Sequence, residues 1–250
     1  MEKKHLFVTI EDGKMKLYTE AESLDAEKIA IPYSIEDLTI GQAQDIYKAI
    51  GEDEEYMAFL SGNQEQEVWS SALLDYARKA MRVIAVVGGF DVSAVEALSD
   101  EEVIRYAPNF EFNVLRPLFQ LGMYEPSEFD GFDFEGVHYA MPLSITDGFG
   151  GVMPMANLTA EEWAESNDLR IASANPFEHM PLIVAILCRP EGEAYNERVA
   201  RERAEKFKQL PCTVALDVFF CKLYRMSISL SLMGEHLERL QAEAKAKAEA

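Results

Sequence analysis

The chain has 250 residues, 48% of them hydrophobic, so it can bury a substantial core. Its 44 acidic residues against 23 basic ones leave a formal charge of -21, which opposes direct binding to the phosphate backbone of nucleic acid. The N-terminus lacks the uninterrupted apolar run of a secretory signal, and the most apolar later runs, residues 180–188 and 214–221, are too short to cross a bilayer. We therefore expect a soluble cytoplasmic protein.

The N-terminal residues predict a small β element. Leu6–Ile10 and Met15–Tyr18 flank Asp12-Gly13, a dipeptide that supplies the positive backbone angles of a tight hairpin turn. Residues 29–31 predict a further strand that ends at Pro32, because proline is tolerated at strand ends and not in a central ladder.

Local capping signals mark several helix starts. Thr39 followed by Gln42 matches the capping box, in which two side chains each accept a hydrogen bond from a backbone amide at the helix start. The start signal recurs at Ser99 and Thr159, and Pro108 is expected to end the helix that begins at Ser99. In the first half of the chain, helices are predicted at residues 39–50, 52–60, 68–87, 99–108 and 110–121. In the second half, one helix is predicted to start at residue 158, two more are predicted at residues 181–188 and 195–209, and the last is predicted from residue 210 onwards.

The helix at 110–121 is predicted to bury an apolar face made of Phe112, Leu115, Leu118 and Phe119. Residues 132–139 alternate aromatic and polar side chains around Gly136, which predicts a second hairpin.

These patterns predict a mainly α-helical protein with a minor β component. Short β-hairpins are expected near the N-terminus and around residues 132–140, together with a long C-terminal helix. We expect an N-terminal hairpin element over residues 1–33 and a helical domain over residues 34–250, with a sub-boundary allowed near residues 122–157.

The C-terminal helix carries the most informative pattern of the chain. From Cys212 to Leu240, apolar residues recur at alternating steps of four and three, the spacing of one helix face that packs on another surface. Residues 212–224 are apolar around much of the helix and are expected to pack into the protein's own core. The narrower seam that follows is the predicted partner-binding surface, and its residues are Leu230, Met233, Leu237 and Leu240.

No sequence motif predicts a catalytic, cofactor-binding or metal-binding site as clearly as the C-terminal stripe predicts helix packing. The four histidines lie singly, the three cysteines sit in apolar helical patterns typical of buried thiols, and the acidic segment 124–133 lacks the terminal glutamate of a calcium loop. The glycines of residues 148–151 neither follow a convincing strand nor open a helix, as a phosphate loop would. We expect no catalytic, cofactor-binding or metal-binding residues and no enzymatic activity.

Several short segments follow one another in a recognisable order: Ile35–Gln42, Phe134–Tyr139, Leu158–Trp163 and Leu182–Pro190, then Tyr195 and Leu210–Phe220. This order resembles a poorly characterised group of tailed-phage proteins, familiar from phages of gut Bacteroidota and their relatives. The resemblance covers about residues 30–225 and contains no catalytic signature. One departure from that group is Glu161-Glu162, because the resembled proteins commonly have a glutamine after the threonine.

The resemblance implies a non-enzymatic interaction factor in virion morphogenesis. It would be either a tail-assembly chaperone that holds apolar tape-measure or tail segments, or a small structural component of the virion. Its partners would be other phage structural or assembly proteins or a second copy of the chain, without nucleic acid, membrane or cofactor. It would act in the host cytoplasm during assembly or reside in the virion.

Two alternatives of other classes stay open. The acidic chain could imitate nucleic acid and inhibit a basic protein, which requires carboxylates arrayed along one exposed face. It could also be a carboxylate- or metal-dependent hydrolase, which requires two or more carboxylates that converge in a pocket.

Overall fold

The computed structural model describes residues 6–11, 14–18, 29–62, 70–125, 131–141, 145–146, 152–153 and 158–220. Contacts divide them into two units. Unit 1 holds the described residues up to Glu125 together with residues 175–178 and 208–213, and unit 2 holds the other described residues. The proposed division into residues 1–33 and 34–250 stays a prediction.

Unit 1 begins with a three-stranded antiparallel sheet in the order β2-β1-β3. Val8 of β1 pairs with Leu17 of β2 on one side and with Ile29 of β3 on the other. The predicted N-terminal hairpin is therefore confirmed. The strands are β1 (Leu6–Glu11), β2 (Lys14–Tyr18) and β3 (Ile29–Ile31).

Helices make up the rest of unit 1. They are α1 (Ile40–Ile50), α2 (Glu54–Leu60), α3 (Ser70–Gly88), α4 (Ser93–Glu96), α5 (Asp100–Phe110) and α6 (Arg116–Phe119), with short 3-10 turns at Ile35–Asp37 and Leu121–Met123. The capping box of α1 is formed, because the amide of Gln42 donates to Thr39 Oγ1 at 3.1 Å and the amide of Thr39 donates to Gln42 Oε1 at 3.0 Å. Ser99 and Glu102 cap α5 in the same way.

Pro108 does not end α5, so that prediction was wrong. The helix continues to Phe110 and passes directly into a π-helical turn, Glu111–Leu115, before α6. Proline has no amide hydrogen, so the carbonyl of Ile104 cannot receive the usual helical bond. The apolar positions on either side still bury one common face, which holds the helix together across the proline; they include Val103, Ala107, Phe110, Val114 and Leu118.

Two later segments of the chain pack against α1 in unit 1. The amides of Ile40 and Gly41 donate to the carbonyls of Leu210 and Lys208, each at 2.9 Å, and the amide of Cys212 donates to Leu38 at 2.7 Å. The buried side-chain amide of Gln44 donates to the carbonyls of Phe177 at 3.0 Å and Glu178 at 2.9 Å. These bonds satisfy buried polar groups between segments that are distant in sequence.

Asp53 joins the start of α2 to the middle of α3. Its Oδ1 accepts the amide of Tyr56 at 3.0 Å, and its Oδ2 lies 2.7 Å from Lys79 Nζ. Partial burial raises the pKa of Asp53, but the hydrogen bonds and charge of Lys79 and the Tyr56 amide outweigh it, so the net pKa lies below the usual 3.8.

Because the folded-state pKa of Asp53 is depressed, its contribution to stability is present above the unfolded-state pKa and is lost as the pH falls through the folded-state value. Asp53→Asn keeps a capping oxygen and removes the charge. We expect the free energy of unfolding of the variant to fall less steeply than that of the wild type between neutral pH and the region below 3.8. Urea unfolding across this pH range measures the difference, and parallel profiles would contradict the assignment.

Unit 2 combines small hairpins with helices. The strands are β4 (Gly131–Phe134), β5 (Val137–Ala140), β6 (Ile145–Thr146) and β7 (Val152–Met153). The helices are α7 (Ala160–Ile171), α8 (Met180–Leu187), α9 (Glu197–Phe207) and α10 (residues 212–220). Residues 214–220 of α10 belong to unit 2. The hairpin predicted around residues 132–140 is confirmed, with Glu135 and Gly136 at positive φ in its turn. The architecture confirms the predicted fold class, mainly α with minor β.

The core of unit 2 is built on α8 and on Phe207. Every residue of α8 except Leu182 is buried, which is why this helix reads as a continuous apolar run in the sequence. The ring of Phe207 is fully buried and meets the rings of Phe132, Phe134 and Tyr139 edge-on, with centroids 5.1 to 5.6 Å apart. This cluster anchors the β4–β5 hairpin to α9.

Candidate protein-binding groove

The predicted partner-binding residues, Leu230, Met233, Leu237 and Leu240, lie outside the described residues, and their role stays a prediction. The beginning of the same stripe is described. Cys212 and Leu216 are fully buried, whereas Phe219 is half-buried. The described start of α10 thus places two of its stripe residues inside the protein.

Unit 1 exposes large apolar side chains around its π-helical turn. Phe112 is 63% exposed and Met123 is 80% exposed. The predicted apolar face of Phe112, Leu115, Leu118 and Phe119 is buried at Leu115 and Leu118 and half-buried at Phe119, but the prediction was wrong for Phe112. Exposed apolar patches of this kind mark binding surfaces more often than single exposed side chains do.

Phe112 and Met123 border an open groove of about 540 Å³. Its lining comes from the π-helical turn, from α6 and from the 3-10 turn that follows, together with Ile35 of the first 3-10 turn. Besides these residues the lining includes Arg116, Pro117, Gln120 and Glu125. The volume falls within the range of ordinary ligand-binding clefts, about 300 to 1,000 Å³.

Arg116 lines the groove and is held by several contacts. Its guanidinium carbon lies 4.7 Å from the ring centroids of both Phe59 and Phe112, so it is stacked between two aromatic rings. Its Nη2 also lies 3.2 Å from Glu111 Oε1. Cation–π contact and ion pairing together fix the side chain, and they hold Phe112 in position at the same time.

Glu111 supplies the counter-charge from a buried position. Burial raises the pKa of Glu111 above its usual value, even though the neighbouring Arg116 guanidinium acts in the opposite direction. Gln120 adds a second fixed point, since its Nε2 donates to the carbonyl of Leu60 at 2.7 Å. The groove is therefore a preorganised surface, which reduces the entropy lost when a partner binds.

Unit 2 contains the most deeply buried ion pair among the described residues. The side chain of Glu162 in α7 has no exposed surface and pairs with Arg189, whose side chain is 14% exposed. Burial lowers the pKa of Arg189, because the charged guanidinium loses water. Glu162 Oε2 also accepts the amide of Thr159 at 2.6 Å and so completes the capping box of α7.

Several of the short segments noted in the sequence, among them Leu182–Pro190 and Leu158–Trp163, meet at such structural contacts. Within unit 2, Arg189 pairs with Glu162 and forms a backbone bridge with Ala140, directly after the Phe134–Tyr139 segment, and the hydroxyl of Tyr195 donates to Glu165. Within unit 1, Leu38 accepts the amide of Cys212. These contacts explain the segments as packing and ion-pairing elements.

Within the described part of the chain, no group of three or more His, Cys, Asp or Glu residues is placed to hold a metal ion. None of the described helices combines the length and apolarity needed to cross a bilayer.

Comparisons with known proteins give no identity. No family model matches the chain, and neither a curated protein nor a solved structure matches it.

Proposed function

We propose that this protein works without catalysis, as a protein–protein interaction factor in tailed-phage virion morphogenesis, either as a tail-assembly chaperone or as a small virion component. The observation that carries the proposal is the groove of unit 1, where Phe112 and Met123 are exposed beside a fixed arginine. The sequence resemblance supplies the biological setting.

The chemistry of the groove suits recognition of apolar segments. Aromatic, methionine and arginine side chains are enriched in the energetic centres of protein interfaces. Methionine is unbranched and adapts to partners of different shape, as Met123 can here because 80% of it is exposed. A chaperone that shields tape-measure or tail segments before assembly needs such a surface.

The proposed partners are other phage structural or assembly proteins, or a second copy of the chain. The proposed place of action is the host cytoplasm during assembly, or the virion itself. The alternative role as an acidic mimic of nucleic acid requires carboxylates arrayed along one exposed face. It is less well supported on α9, where acidic and basic side chains alternate: Glu202 pairs with Arg198, and Glu197 pairs with Arg201.

The C-terminal seam is a second proposed contact. Leu230→Ala combined with Leu237→Ala is expected to weaken self-association or binding to tail proteins by at least about tenfold, because it removes two predicted anchors of the seam. Sedimentation and pull-down with the tail proteins of the same phage measure this effect, and far-UV circular dichroism checks that helicity is retained. Ile171→Ala, at a residue of unit 2 that is 64% exposed, is the matched control. Unchanged sedimentation and pull-down profiles would remove the assignment of the seam.

A further inference from the structure

We propose that the groove of unit 1 takes a helical segment of a partner protein that carries apolar side chains on one face and basic side chains beside them. This inference rests on the proposed function, since it names the class of partner for the same surface. Three features of the groove lead to it: its exposed apolar anchors, its backbone geometry and its charge.

The anchors define an apolar contact. Phe112 and Met123 present their side chains to solvent, and Ile35 and Pro117 add apolar surface to the lining. A partner that places two or more apolar side chains along one face would bury this surface together.

The backbone around the groove favours a helix over an added strand. Most lining residues lie in short helical turns, and several amides there are bonded locally, for example that of Gln120 to the carbonyl of Arg116 and that of Met123 to the carbonyl of Gln120. The described lining residues include no strand that an extended peptide could pair with, so recognition through side chains is favoured. Insertion of one amphipathic helix face into a groove is the common solution for such a surface.

The charge of the groove selects a basic partner. Arg116 and Glu125 are the charged residues of its lining, and the charge of Arg116 is already balanced by Glu111 at 3.2 Å. Glu125 therefore leaves the lining acidic. The whole chain adds a formal charge of -21, which repels acidic segments and attracts basic ones.

The test uses the purified full-length chain and a displayed library of random helical peptides of about 18 residues, long enough for five helical turns. Peptides are selected for binding at low salt and then titrated by fluorescence anisotropy. We expect the enriched peptides to carry apolar residues at spacings of three and four and a net positive charge. Their affinity should fall as salt is raised, because exposed charges are screened.

Variants of the chain separate the groove from general electrostatic attraction. Phe112→Ala and Met123→Ala should each lower the affinity for the enriched peptides by about tenfold or more, as expected for interface anchors. Glu125→Lys should lower the affinity for basic peptides and leave the affinity for uncharged apolar peptides unchanged. Ile171→Ala, which changes an equally exposed residue of unit 2 and leaves every charge in place, should have no effect.

The proposal is overturned if no peptide is enriched, if the enriched peptides are acidic, or if their binding is insensitive to both Phe112→Ala and Met123→Ala. Met123 is mostly exposed, so its variant tests the groove even if loss of Phe112 disturbs Arg116. Peptide binding is measured on isolated protein, whereas the proposed role in phage assembly is measured by infection. A negative peptide result would therefore overturn this proposal without overturning the proposed function.

Discussion

Replacing Glu162 by alanine is expected to lower the free energy of unfolding by about 3 to 5 kcal/mol, the cost of leaving a buried charge without its partner. The side chain of Glu162 is fully buried, and the Arg189 guanidinium that it pairs with is nearly so. Its other oxygen caps the first turn of α7 through the amide of Thr159, and loss of a cap adds about 1 kcal/mol. Chemical denaturation of purified protein measures the change.

Companion variants identify the ion pair as the cause. Arg189→Ala should cost a similar amount, whereas Arg198→Ala should change stability by less than about 0.5 kcal/mol, since the side chains of its pair with Glu202 are 74% and 63% exposed. Replacing both Glu162 and Arg189 by leucine should recover much of the loss, because an apolar pair leaves no orphaned charge. Equal and small effects for the buried and the exposed pair would contradict this account.

Phe207→Ala is expected to destabilise the protein by about 3 to 5 kcal/mol, the range for removal of a buried aromatic side chain. Phe207 is fully buried, and its ring meets three others edge-on, the arrangement that aromatic quadrupoles favour. The cavity would lie between α9 and the β4–β5 hairpin, so the hairpin should lose its protection from hydrogen exchange first.

Val137→Ala is the matched control for Phe207→Ala, because Val137 belongs to the same hairpin and is 40% exposed. It should change the free energy of unfolding by less than about 0.5 kcal/mol. A loss below about 1 kcal/mol for Phe207→Ala would mean that the aromatic cluster does not hold the hairpin to α9.

Local signals in the sequence were sufficient for much of the fold. The capping boxes at Thr39, Ser99 and Thr159 depend on residues three positions apart, so their chemistry is visible in the sequence. The two hairpins likewise depend on turn residues next to alternating strands. Pro108 misled the prediction because tertiary packing of the buried face around it outweighed the missing hydrogen bond.

The candidate site was less accessible from the sequence. Phe112 appears there as one more apolar residue of a helix, and only its spacing gave a signal, since Phe110, Val114 and Leu118 define a face that excludes it. The stacking of Arg116 on Phe59 joins residues that are distant along the chain. Periodicity predicts which faces pack, but it does not predict which distant side chains meet.

The pairing of Glu162 with Arg189 gives a reason for a carboxylate, and not an amide, at position 162. A glutamine could cap α7 equally well, but it would leave the buried guanidinium of Arg189 without a counter-charge.

Infection provides the most direct measurement of the proposed function, in which the exposed apolar surface of the protein serves phage assembly. The proposal is tested by deleting the gene for this chain from the genome that encodes it and by counting particles by electron microscopy after complementation with variants. We predict that wild type and Ile171→Ala restore complete tailed particles, whereas a variant with both Phe112→Ala and Met123→Ala yields at most about a tenth as many. Equal numbers of complete particles from all variants, or from the deletion itself, would contradict the account.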